Sequence, residues 1–153
     1  MKNLELKYHS GVATVTLNRP EVRNAFNDEV IAELTVAFLE LGERSEVRCV
    51  VLAGNGPAFC AGADLNWMKR MAGYTRDENL ADARALARML EVLYSCPKPT
   101  IAKVQGDVYA GGTGLVARLP VYLNERNGQE YFWGIVSAVI DVDKLFAVSG
   151  LQD

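Results

Sequence analysis

The feature that most constrains this chain is an apolar strand running into a loop whose side chains carry almost no chemistry. Cys49 to Leu52, within "RCVVLAG", form a continuous apolar run closed by Gly54 and read as a buried strand. Next comes "GPAFCAGADLNWM", in which Phe59, Cys60, Ala61, Gly62 and Ala63 offer no group that exchanges a proton at neutral pH. Asp64 then opens a short helix. Any chemistry at such a loop falls to its backbone N–H and C=O groups.

The pattern around this stretch alternates between two periods. Leu4 to Tyr8 and Val12 to Leu17 read as strands joined by the turn His9-Ser10-Gly11. Val30, Ile31, Leu34, Phe38 and Leu41 recur at helical spacing, with Asn27 or Asp28 as the cap and Gly42 as the stop. A short helix from about Asp64 to Met71 is followed by "GYTRDE" as a polar break. A longer helix then carries Leu80, Leu86, Leu90 and Leu93 on one face, until Pro97 and Pro99 end it. "TIAKVQG" is a fourth strand, and "DVYAGGTG" leads into a further helix. The order β-β-α-β-α-α-β-α predicts an α/β domain with right-handed crossovers.

Beyond Arg118 the character changes. "LPVYLNERNGQEYFWGIVSAVIDV" predicts two strands around the turn pair Asn127-Gly128, and "DKLFAVSG" a final helical turn or two stopped by Gly150. The organisation expected is a core over residues 1–117 and a divergent tail over 118–153.

Length and composition narrow the function classes. At 153 residues, half of them hydrophobic, the chain suffices for one domain with a core. A net charge of −3 argues against non-specific nucleic-acid binding. The start "MKNLELKYHS" has no apolar signal segment, and no apolar run reaches the length of a membrane span. Cys49, Cys60 and Cys96 lack metal-ligand spacing and read as reduced thiols, so a cytoplasmic protein with no metal is expected.

Two strand-loop-helix junctions carry the remaining signal, Phe59 to Leu65 and Tyr109 to Leu115. Each offers unpaired N–H groups at a helix start, and two brought together suit an oxygen that becomes an oxyanion. On residues alone, the small side chains also serve simply to let helices pack closely on the sheet. A dinucleotide-binding fingerprint from Gly54-Asn55-Gly56 fails because Phe59 stands where its third glycine belongs, and "GGTG" lacks the Lys of a P-loop.

Three collinear stretches, "GVATVTLNRPEVRNAFNDEV", "VVLAGNGPAFCAGADLNWM" and "PKPTIAKVQGDVYAGGTGLVA", closely resemble the enoyl-CoA hydratase/isomerase (crotonase) family from the start to about Ala117. "FCAGADLNWMKRM" with "YAGGTGLVA" looks most like its branch acting on methylglutaconyl-CoA. The resemblance implies a crotonase-like spiral of β-β-α units, truncated after the second loop. It implies an acyl-CoA hydratase or isomerase of fatty-acid or branched-chain amino-acid catabolism. No cofactor is implied beyond the CoA thioester substrate. The thioester carbonyl is expected between the N–H groups of Ala63 and Gly111, which would stabilise its enolate. Val22 and Arg23 are expected along the CoA arm, with the Ala61 carbonyl on the adenine and Asp64 and Leu65 beside it. Arg23, Lys69 and Arg70 are candidates for the CoA phosphates.

The family pattern also has a glutamate where Gly114 stands, and a second one in a later segment. After Ala117 only Glu125 and Glu130 are available, in the polar stretch "NERNGQE", which reads as a solvated turn. The family's trimer or hexamer depends on C-terminal helices that have no counterpart here. The alternative expectation is therefore a catalytically inactive CoA-binding fragment or interaction module. His9 is expected at the surface, Asp64 as a helix cap rather than an acid, and Trp67 and Met68 either in the core or lining an acyl pocket.

Overall fold

A computed structural model of the chain describes residues 1–112, Leu115, and the backbone of residues 119–124 and 130–136. Strands β1 (Leu4–His9) and β2 (Val12–Leu17) form an antiparallel hairpin across the tight turn Ser10-Gly11, where both residues have positive φ. Helix α1 (Asp28–Glu43) returns the chain to β3 (Cys49–Gly54), which runs parallel to β2 in the register Val12↔Cys49 to Leu17↔Gly54. A parallel pair needs such a crossover. Helices α2 (Leu65–Met71) and α3 (Arg76–Tyr94) then lead to β5 (Thr100–Lys103), parallel to β3, and complete the sheet order β1-β2-β3-β5.

Two strands escape the sequence pattern. β4 (Ala58–Cys60) and β6 (Asp107–Val108) pair in parallel as a second, two-stranded sheet. They have three and two residues, too few to show a period, yet they place the two loops side by side. Ala58, Phe59 and Cys60 are all buried, so no alternation marks this strand.

The core lies between the main sheet and the helices. Val30, Ile31, Leu34, Ala37, Phe38 and Leu41 form the buried stripe of α1, against Val15, Leu17, Val50 and Leu52 of the sheet and Met89, Val92 and Leu93 of α3. The α1 cap is Asn27, whose side chain accepts from the Val30 N–H.

Three helix expectations need correction. Gly42 does not stop α1, which runs on to Glu43; Gly42 is small because a Cβ there would lie 3.1 Å from Pro97 Cδ. "GYTRDE" is a break only to Thr75, which caps α3 in a reciprocal capping box with Glu78 and draws Arg76, Asp77 and Glu78 into its first turn. Leu80 is exposed, and the seam of α3 runs instead through Leu86, Met89, Leu90 and Leu93, because only its C-terminal half reaches the core.

The segment after β6 forms a 3-10 turn at Ala110–Gly112 before helical Leu115. Strands β7 (Leu119–Asn124) and β8 (Glu130–Val136) pair antiparallel, as expected for the tail, and Glu130 opens β8. Gly114, Glu125, the turn pair Asn127-Gly128 and "DKLFAVSG" lie outside the described residues.

Candidate active site at two apposed loops

The turn after β2 builds the first half of the site. Pro20–Val22 form one 3-10 turn, after which Arg23 and Asn24 both adopt left-handed backbone, with φ of 52° and 54°. Such angles are uncommon for residues other than glycine and persist only where the surroundings enforce them. Asn24 is buried and fully engaged. Its Oδ1 accepts from the Arg19 N–H at 2.9 Å, and its Nδ2 donates to the Asn55 and Ala58 carbonyls at 2.7 and 2.9 Å.

This turn grips the loop after β4 along one edge. The Ala61 N–H donates to the Arg23 carbonyl at 2.9 Å, the Phe26 N–H to the Gly62 carbonyl at 2.8 Å, and the Asp64 N–H to the Phe26 carbonyl at 3.0 Å. The last two bonds define a parallel bridge between Phe26 and Ala63. In such a bridge Phe26 bonds to the neighbours of Ala63, so the N–H and C=O of Ala63 itself face the opposite side.

The second loop packs against Cys60 and Gly62 of the first. The Tyr109 N–H donates to the Cys60 carbonyl at 3.0 Å, and the Gly112 N–H to the Tyr109 carbonyl at 2.8 Å. Contact between the loops is close enough to exclude side chains. A Cβ on Gly62 (φ +85°) would lie 3.0 Å from the Tyr109 carbonyl oxygen and 3.6 Å from the Gly111 nitrogen. One on Gly112 would meet Cys60 at 2.8–3.0 Å, and one on Gly111 would meet Phe26 Cζ at 2.7 Å. The glycines therefore serve close approach between the two loops. Among the described residues, neither Ala63 nor Gly111 donates its N–H, and the Ala61 carbonyl accepts nothing.

Phe26 ties the halves together. Its backbone holds the first loop, its ring backs Gly111, and its edge packs on the buried Trp67 ring of α2 with centroids 6.2 Å apart. Trp67 thus belongs to the core, while Met68 and Leu65 are exposed.

Asp64 caps α2, as expected. Its Oδ1 accepts from the Asn66 and Trp67 N–H groups at 2.8 and 3.3 Å. Its Oδ2 pairs with Arg19 at 2.8 Å, with the two side chains only 15% and 7% exposed for Arg19 and Asp64. Burial pushes the Asp64 carboxyl upward, but the Arg19 guanidinium and the two backbone donors outweigh it and hold the group below the usual range. A carboxylate so engaged is a structural anion, not a proton carrier.

Of the other expected residues, Val22 is half-buried and Arg23 exposed, and the Arg23 carbonyl is bonded to Ala61. Arg70 pairs with Asp28 at 2.7 Å, and His9 is exposed. Burial raises the Cys60 thiol, against smaller opposing hydrogen bonds from the Gly62 and Phe26 backbone. Among the described residues no three His, Cys, Asp or Glu side chains gather as a metal site requires, and no helix is long and apolar enough to cross a membrane. Arg19, Asn24 and Phe26 carry no functional signature in the sequence. The signal available was "LNRPEVRNAFN", whose Arg and Asn residues are ordinary on a solvated turn; only the fold buries Asn24 and half-buries Arg19.

The site is thus a pair of backbone loops on an α/β core, with an amide on each that has no partner among the described residues. The chain belongs to the enoyl-CoA hydratase/isomerase family, whose model matches residues 7–129, beyond the Ala117 limit of the motifs. A Thermus thermophilus protein provisionally named an enoyl-CoA hydratase is 37% identical over 141 residues, covering 90% of this chain and 56% of that protein. The crystal structure of an enoyl-CoA hydratase from Shewanella pealeana superposes with a TM-score of 0.72 at 39% identity, covering 74% of this chain and 43% of that one. An enoyl-CoA hydratase/isomerase from Marinobacter aquaeolei gives 0.67 at 35% identity, covering 75% and 46%. The fold is that of the crotonases, and the chain spans about half the length of the relatives it matches.

Proposed function

We propose that the chain supplies the oxyanion-binding and CoA-binding part of an acyl-CoA hydratase or isomerase, with the N–H groups of Ala63 and Gly111 as donors to the thioester carbonyl. One observation carries this reading: two amides without partners among the described residues, on loops packed too tightly for side chains, in a chain of this family. When the carbonyl becomes an enolate, negative charge develops on its oxygen, and fixed amides stabilise that charge without reorganising. Each such donor typically contributes about 2.7–4 kcal/mol. Val22, Arg23, Ala61 and Leu65 line the approach of the CoA arm, whereas Asp64 serves from behind the loop. The motif likeness to the methylglutaconyl-CoA branch favours a short branched acyl group.

A second reading, binding without efficient turnover, rests on Gly114. Adding water across an enoyl-CoA needs a base for the water and an acid for the α-carbon, and each typically contributes about 10²–10⁴-fold. With glycine at position 114 the second loop lacks a carboxylate there.

The test is the carbonyl stretch of a bound acyl-CoA labelled with carbon-13 at the thioester, with hydration of crotonyl-CoA measured alongside. A downshifted band with little hydration supports both readings, and Gly114→Glu then raises turnover without restoring it fully. An unshifted band in a saturated complex overturns the oxyanion reading. Parent turnover of about 1–10³ per second, the range of ordinary enzymes, overturns the second.

A further inference from the structure

The backbone polar groups along one edge of the first loop are occupied by Arg23 and Phe26, and Arg19 adds a bond to the Asp64 side chain. The Ala61 N–H, the Gly62 carbonyl and the Asp64 N–H bond to Arg23 and Phe26. The Asp64 carboxylate is held by Arg19, whose second arm donates to the Ala25 carbonyl at 2.6 Å. Arg19 therefore spans from the turn that grips the loop to the residue that ends it. Ala63 sits inside this frame, and its amide is the one left pointing outward.

We infer that the largely shielded Arg19–Asp64 pair is a positioning device for the Ala63 amide, fixing the first donor before any thioester arrives. The inference rests on the reading of Ala63 and Gly111 as carbonyl donors, and it adds a role for two residues that touch no substrate. Three features of the pair fit this role better than general stabilisation. It is anchored at both ends by backbone, through Ala25 on one side and the Asn66 and Trp67 N–H groups on the other. The carboxylate divides its oxygens, one for the helix and one for the guanidinium, so helix start and turn cannot move independently. Arg19 also has its own backbone N–H fixed by Asn24, which leaves the guanidinium little freedom. A planar two-armed cation meets these demands, and an ammonium does not.

The pair acts on one donor only. Gly111 is held by packing against Phe26 and takes no bond from Arg19 or Asp64. Loss of the pair should loosen Ala63 and leave Gly111 as it is.

The experiment uses the full chain with Asp64→Asn, which keeps a helix-capping oxygen and the side-chain volume but removes the charge, and Arg19→Met, which keeps length but removes the donors. Two readouts are taken: the backbone order parameters of Ala63 and Gly111 without ligand, and the carbonyl band of the labelled acyl-CoA at saturation. In each variant the Ala63 order parameter should fall from the rigid value of about 0.85 toward 0.6 while Gly111 is unchanged. The band downshift should shrink by about half, as expected when one of two donors is lost. The double variant should be no worse than either single one, because the two residues act as a unit. An unmoved Ala63 with a merely lower melting temperature overturns the positioning role. If instead Ala63 loosens as expected but the parent shows no band shift, the oxyanion reading fails while the brace itself stands. Where Arg19→Met does not fold, Asp64→Asn alone decides.

Discussion

The two loops of the site are held by different physics. The first, after β4, is fixed by directed bonds: three backbone hydrogen bonds to residues 23–26 and a largely shielded ion pair. The second, after β6, is tied to the first by the Tyr109–Cys60 backbone bond and by close packing, with Gly111 against Phe26 and Gly112 against Cys60. Directed bonds set an orientation, while close packing sets only a distance. A donor whose direction matters is thus best kept on the first loop, and one that must approach a partner closely is best kept on the second. Ala110, with φ of 45°, shows that the second loop also bears backbone strain.

The largest way to break this division is at Phe26, where both modes converge. Phe26→Ala removes a fully buried ring and should cost about 3–5 kcal/mol in denaturant unfolding. It should also disorder Gly111 more than Ala63, since the backbone bridge survives the truncation. Equal loss at both amides would contradict the contrast.

Gly112→Ala attacks the second loop alone. Its Cβ meets the Cys60 carbonyl oxygen at 2.8 Å, which is backbone and cannot rotate away. Overpacking of this kind typically costs about 1–3 kcal/mol. The Gly111 resonance should shift while Ala63 stays in place, and a variant as stable as the parent would mean that the loops are less tightly apposed.

On the first loop the expected effect is a pH slope. Asp64 titrates below its ordinary range when folded, so its contribution is present above the unfolded value of about 3.9 and is lost as pH falls through the lower folded value. Thermal unfolding from neutral to strongly acidic pH should show a steeper acid limb in the parent than in Asp64→Asn. Identical limbs would remove the ion pair from the account.

The smallest structural effect is at Leu65, 72% exposed at the start of α2. Leu65→Ala should change stability by no more than about 0.5 kcal/mol. Acyl-CoA affinity should nevertheless fall several-fold by calorimetric titration if this side chain covers the ligand, and an unchanged affinity removes it from the binding surface.

Much of this was legible in the sequence. The main sheet was, because Leu4–His9, Val12–Leu17 and Cys49–Gly54 are long enough to show alternation or a sustained apolar run. So was the Asp64 cap, since a carboxylate just before a helix meets unpaired N–H groups. The second sheet was not, because strands of two and three buried residues carry no period. Leu80 misled for a related reason: helical spacing says which residues share a face, but not how far along the helix that face stays covered. Arg19 and Asn24 were invisible as braces because their burial depends on a turn folding back over residues 55–64, a contact between segments over thirty residues apart.

In the proposed function, the Ala63 and Gly111 amides jointly receive the thioester carbonyl. The most direct measurement follows the amide resonances of both residues during titration with an acyl-CoA, and then with the matching thioether that lacks the carbonyl oxygen. Both amide protons should move downfield with the thioester and stay near their free positions with the thioether, while resonances around Val22 and Arg23 respond to both ligands alike. Equal responses of Ala63 and Gly111 to the two ligands, or no response to either at saturation, would contradict the claim.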